Sequence, residues 1–303
     1  MLRAFVEVSH ALPWLPPVAA GLLGACIGSF LNVVILRVPA GLSVVRPGSH
    51  CACGAPIAWF DNLPVVSWFV LRGRARCCGR PVSARYPAIE ALTAALFVAC
   101  WLRLPPAVAV CAWVLVSGLV AATFIDLDHL IIPDVFTIGL GAAGLAASLI
   151  VPALHGHDGA SYLADSLRSG ADALIGLVAG SGLVLWIAVL AEAALRQEAM
   201  GFGDIKFVGA IGAFCGWHGA VFAIFGGAVV GSLWTTAVIG WQKASGRTAA
   251  LAPRAQTPEG DSAPLGFGVQ VPFGPMLAVA AAVYLLAVHR PVETWFNQFT
   301  GLF

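Results

Sequence analysis

"AMGFGDIKFVGAIGAF", residues 199–214, places two glycines and a carboxylate at the threshold of an apolar run. Gly201 and Gly203 carry no side-chain bulk and permit backbone angles closed to other residues. The pair is expected to break a helix and let another segment approach closely. Asp204 then opens the apolar run, at a helix N-terminus that favours its negative form. No partner for that charge lies beside it in sequence, so its meaning depends on what surrounds the run.

The composition points to a membrane. The chain of 303 residues is 59% hydrophobic and only 10% charged, with a mean hydropathy of +0.89. An ordinary soluble domain carries about 25% charged residues. Apolar runs lie near 15–36, 86–103, 106–125, 135–153, 171–195, 205–217, 219–241 and 273–289. The expected fold class is therefore an all-α polytopic membrane protein of about eight transmembrane helices, each of roughly 20 residues. The run 205–217 is short and reads as a tilted or partly re-entrant helix. The first run leads into "LRVP" without a small-residue cleavage site, so it is expected to remain as an anchor.

Basic residues orient the chain. Residues 37–85 hold Arg37, Arg46, Arg72, Arg74, Arg76, Arg80 and Arg85, seven of the sixteen basic side chains. The positive-inside rule makes this loop cytoplasmic and the N-terminus external. Alternation then places Arg196, Lys206, Lys243, Arg247 and Arg254 inside, leaving Arg3, Arg103, Arg168 and Arg290 outside. The division expected is an anchor (1–36), a small cytoplasmic cysteine-containing loop domain (37–85) and a transmembrane domain (86–303). Residues 154–170 read as a polar external loop in which His155, His157 and Asp158 lack a further metal ligand. Residues 242–272 read as a flexible linker. A net charge of +1 offers no basic face, and the partner expected is the lipid bilayer, not nucleic acid.

A second acidic cluster, "FIDLDHLIIPD" at 124–134, supplies Asp126, Asp128 and Asp134 before Pro133 redirects the chain. In this topology it reaches the cytoplasmic rim on a different helix from Asp204. Each aspartate also reads as a solvated helix end, least easily Asp204 with its flanking glycines. Read together, two carboxylates a few ångströms apart share one proton. The ionised member takes a proton from water while the other donates to a carbonyl oxygen. Spacing alone leaves open which aspartate of the cluster pairs with Asp204. Lys206 reads equally as a support for Asp204 or as a snorkelling interfacial residue.

"MGFGDIKFVGAIGAFCGW" resembles the G-x-G-D stretch of the prepilin (type IV leader) peptidases, a polytopic aspartic protease family. "IGSFLNVVILRVP" (27–39), "WFDNLPVVSWFVLRGR" (59–74), "ARYPAIEALTAALF" (84–97), "FIDLDHLIIPD" (124–134) and "PFGPMLAVAA" (272–281) agree in the same order. The resemblance implies Asp126 and Asp204 as the catalytic pair, with Gly201, Gly203, Lys206, Asp128 and Glu90 as supporting residues. It implies cleavage of a prepilin or pseudopilin leader after glycine, at the cytoplasmic face of the bacterial inner membrane. It further implies methylation of the new N-terminus with S-adenosylmethionine, placed by the family's layout in residues 37–85; no glycine-rich cofactor motif accompanies it. A presenilin-like G-x-G-D protease and an ion-coupled transporter with membrane aspartates are the competing readings.

The cysteines depart from that family's two C-x-x-C pairs. Here they are Cys51-Ala52-Cys53 and Cys77-Cys78, with Ala75 where a ligand is expected. Four cysteines in a reducing compartment favour a metal over a disulfide. A zinc site on Cys51, Cys53, Cys77 and Cys78 is expected, against a three-cysteine or metal-free loop.

Overall fold

The computed structural model describes residues 11–159, 161–196, 200–245 and 272–300. Most of the linker expected at 242–272 lies outside the described residues, as do Arg3, Arg247 and Arg254. No strand occurs among the described residues; the protein is all-α. It divides into two compact units, Met1–Ala121 and Ala122–Phe303.

In the first unit, α1 (Leu15–Arg37) packs on α3 (Arg85–Arg103). Ala20, Gly24 and Gly28 recur every fourth residue and form one face of α1. A Cβ on Gly24 would lie 2.8 Å from Ala94 Cα, and one on Gly28 2.7 Å from Glu90 Cα. The two backbones therefore touch, the usual way apolar helices associate where water supplies no hydrophobic drive. Arg37 ends α1 and donates to the carbonyls of Ser43 and Pro47, turning the chain into the loop that carries α2 (Val66–Val70). The first part of α4 (Pro106–His129) returns along α3, where Trp113 stacks on Phe97 with centroids 5.0 Å apart.

The second unit takes up the end of α4, then α5 (Ile138–Ile150), α6 (Tyr162–Leu195), α7 (Phe202–Ser245) and α8 (Gly274–Val283). A π-helical turn at Tyr284–Val288 joins α8 to α9 (His289–Thr300). Among the described residues, six helices are long and apolar enough to cross a membrane, the last running from Gly274 to Phe296. The eight expected runs map onto seven helices: α5 is a shorter apolar helix, and the runs 205–217 and 219–241 are one element, α7.

α7 is broken at Gly216, whose φ of 66° and ψ of 179° are non-helical. In a straight helix Val208 and Ala220 would stand about 18 Å apart. A Cβ on Gly180 of α6 would nonetheless lie 3.0 Å from both Val208 O and Ala220 Cβ. The chain therefore doubles back at Gly216, and α7 is a hairpin of two arms. Left-handed φ with extended ψ is open essentially to glycine alone, which explains the break.

α6 begins at Tyr162, not near 171, and the expected loop 154–170 is half helix. Asp165, Ser166 and Ser169 are buried in its first turns. His155 Nδ1 lies 3.1 Å from Ser169 Oγ, and His157 Nε2 pairs with Asp172 at 2.6 Å. These side chains fasten the preceding turn to α6. Burial pushes the His155 imidazole down to about 4.

Candidate active site

Asp126 sits one turn before the end of α4 and is 5% exposed. The helix stops where Leu130 takes a left-handed φ of 55°, and the Ile-Ile-Pro run after it leads back across the bundle. Asp126 Oδ2 accepts a hydrogen bond of 3.0 Å from the Gly274 N–H at the start of α8. A Cβ on Gly274 would lie 2.8 Å from that oxygen and 3.0 Å from Ile132 Cδ1. Only glycine allows this approach.

Asp204 lies in the first turn of α7, half-buried, with its N–H bonded to Gly201 O at 3.1 Å. It stands close enough to Asp126 for the two charges to interact. Ile132 links the two sides of the site, lying against Gly274 and, with its Cβ 3.4 Å from a Cβ built on Gly203, against α7. The glycines do not act through unusual backbone angles: neither Gly201 nor Gly203 has a positive φ, and Gly203 is already inside the helix.

The other expected residues fall elsewhere. Asp128, two residues beyond Asp126 and on another face of α4, is exposed. Lys206 pairs with Asp134, not Asp204, and lies 5.4 Å over the Phe202 ring. Its ammonium holds the Asp134 carboxyl below the usual carboxylate range. This ion pair ties the turn before α5 to the first turn of α7. Glu90 belongs to the first compact unit, where it accepts the Val65 N–H at 2.7 Å and a hydrogen bond from Ser29. Val65 has φ 63° and begins α2, so Glu90 pins the loop where its backbone is strained.

The four cysteines converge despite their spacing. Cys51 Sγ lies 3.6 Å from Cys78 Sγ, and Cys53 Sγ 3.4 Å from Cys77 Sγ. All four sulfurs lie within 4.8 Å of one another. Each pair rides a tight turn, closed by Cys51 N–H to Ala55 O in one and by Ala75 N–H to Arg80 O in the other, both at 2.8 Å. Ala75 thus occupies the backbone position of Cys51, while the second turn is one residue longer and presents Cys77 instead. The Cys53 N–H and the thiols of Cys77 and Cys78 draw Cys51 down to about 7. The Cys53 thiol, followed by Cys51, pushes Cys77 up to about 12. Thiols this crowded cannot all ionise without a cation among them.

Sequence reasoning missed Gly274 and Ile132 as parts of the site. The "PFGP" opening of α8 was the available signal, since a glycine between two prolines marks a turn with a required shape.

Residues 22–104 match the bacterial peptidase A24 N-terminal domain, and residues 113–236 match the type IV leader peptidase family. A prepilin leader peptidase/N-methyltransferase of Myxococcus xanthus is 40% identical over 255 residues, 80% of this chain and 68% of that protein. Proteins of the same name from Aeromonas hydrophila and Xanthomonas campestris pv. campestris are 34% and 33% identical. The alignments span 94% of this chain and 95% and 96% of those proteins. No solved structure matches the chain. The fold and these matches define a multi-pass membrane peptidase class. The chain belongs to the type IV leader peptidase family.

Proposed function

We propose that this protein is an aspartic endopeptidase that removes the leader of type IV prepilins or pseudopilins, after glycine, at the cytoplasmic face of the bacterial inner membrane. The observation that carries the reading is Asp126, buried and held by the Gly274 N–H, within reach of the charge of Asp204. The pair shares one proton. The ionised carboxylate takes a proton from water as its oxygen attacks the scissile carbonyl carbon, and the protonated carboxyl donates to the carbonyl oxygen. Collapse of the resulting diol breaks the C–N bond, and the leaving amine takes up the proton. Gly274 fixes one oxygen of Asp126, so the geometry exists before substrate arrives.

The relatives are also named N-methyltransferases, and the second activity proposed for this chain is methylation of the new N-terminus. S-Adenosylmethionine, when bound, supplies the methyl group. A cleft of about 410 Å³ between α1 and the loop after it, lined by Phe30, Val33, Arg37 and Leu63 and by residues 47–49, has the size to hold it. Zinc fits the cysteine cluster. A tetrahedral site with Zn–S bonds of about 2.3 Å sets sulfurs roughly 3.8 Å apart, close to the separations seen. Zinc there would hold the two turns of the loop domain together.

The test is incubation with a prepilin, with and without S-adenosylmethionine, read by mass spectrometry. Asp126→Asn and Asp204→Asn are each expected to abolish leader removal while the protein still inserts; Asp128→Asn is expected to do far less. Normal processing by either of the first two variants would refute the pairing.

A further inference from the structure

Beside the aspartate pair, the second arm of α7 and the start of α8 border a groove of 510 Å³. Ala228, Gly231, Ser232 and Thr235 form its wall on α7, and Phe273 and Met276 its wall on α8. Residues three and four apart share a helix face, so the α7 wall is a surface of small side chains. The neighbouring bulk of Val229 and Leu233 is exposed, at 59% and 68%, as expected of ordinary lipid-facing residues. Ser232 Oγ donates to Ala228 O at 2.8 Å, which uses its hydroxyl within its own helix. No charged side chain lines the groove, and the Thr236 hydroxyl is likewise used within the helix, donating to Ser232 O at 2.7 Å. A Cβ on Gly231 would meet Met276 Cγ at 3.6 Å, ordinary van der Waals contact, so the two walls come together there and form the floor of the groove.

Its position gives it meaning. Phe273 in the groove wall directly precedes Gly274, whose N–H holds Asp126. A chain lying in the groove therefore passes the carboxylates as it leaves. Within the hydrocarbon a chain must satisfy its own backbone groups, which makes it a helix, and such helices seat against small residues. We infer that this groove receives an apolar transmembrane helix of the peptide substrate, next to the bond that is cleaved. The inference rests on the peptidase reading and adds the surface that selects and positions its substrate.

The test uses full-length protein in lipid vesicles with a prepilin precursor. Gly231→Leu combined with Ser232→Leu fills the groove, and KM is expected to rise on the order of tenfold with little change in kcat, as for a hydrophobic pocket of the wrong size. A photo-crosslinking residue at Thr235 in the inactive Asp204→Asn background is expected to capture the apolar segment of the precursor. The same residue at Leu233 is expected not to. Unchanged KM, equal capture at both positions, or capture at Thr235 of the enzyme's own chain or a second copy would each overturn the groove while the unaltered protein still cleaves. If the unaltered protein leaves the precursor whole, the peptidase reading fails and the groove proposal fails with it.

Discussion

At position 274 a single methyl group decides whether Asp126 keeps its place. Gly274→Ala would set a Cβ 2.8 Å from the carboxylate oxygen, so either the carboxylate turns or α8 withdraws. Displacement of a reacting group by about 1 Å can cost on the order of 100-fold in rate. Gly274→Ala is expected to lower kcat for leader removal by about that factor, with the melting midpoint in detergent hardly moved. Equal activity would show that the contact is not needed. Spacing alone did not tell Asp126 from Asp128; only with the helix running on to His129 do two steps of about 100° turn them to different faces. Gly274 could not be linked to Asp126, since the two are 148 positions apart. The two glycines before Asp204 were legible as positions, but the backbone freedom expected of them is not used, since neither has a positive φ.

Helix seams account for the arrangement that brings these residues together. A Cβ on Gly176 of α6 would overlap Gly212 O, and one on Gly212 would overlap Gly176 O. The backbones of α6 and the first arm of α7 thus meet directly. Gly176→Val is expected to cost about 3 kcal/mol through overpacking, read as a lower unfolding midpoint and faster proteolysis in detergent. Gly182→Ala, with nothing within 4 Å of its added carbon, serves as the neutral control. The apolar runs placed most of the helices because length and hydropathy carry that signal. The runs 205–217 and 219–241 put a boundary within two residues of the reversal at Gly216, though not the reversal itself. The early start of α6 was not legible, because the polar residues of its first turns are buried against His155 and His157, partners that only the fold supplies.

For the molecule as a whole, the two compact units separate the proposed chemistries. The cysteines lie in the first and the carboxylate pair in the second. Metal analysis is expected to find about one zinc per chain, lost when Cys51 and Cys53 are replaced together by serine. Methyl transfer is expected to suffer more than leader removal. Metal-free protein with both activities intact would remove zinc from the account. The irregular spacing of these cysteines made the cluster hard to read, because sulfur positions depend on the lengths of two turns and not on the count between residues.

The shortness of two neighbouring helices has a consequence for the lipid. α5 has 13 residues, about 20 Å at 1.5 Å per residue, and the first arm of α7, residues 202–215, is about 21 Å long. A hydrocarbon layer is about 30 Å thick. Gly144 of α5 packs against Ala213 and Phe214, and residues 207–214 of that arm are buried within the unit, so the shortfall that meets lipid is that of α5. Acyl chains there must compress or tilt to match the protein, at a modest cost per ångström. A bilayer thinned beside α5 would bring headgroups and water toward Asp134, whose partner Lys206 stands with Asp204 in the first turn of α7.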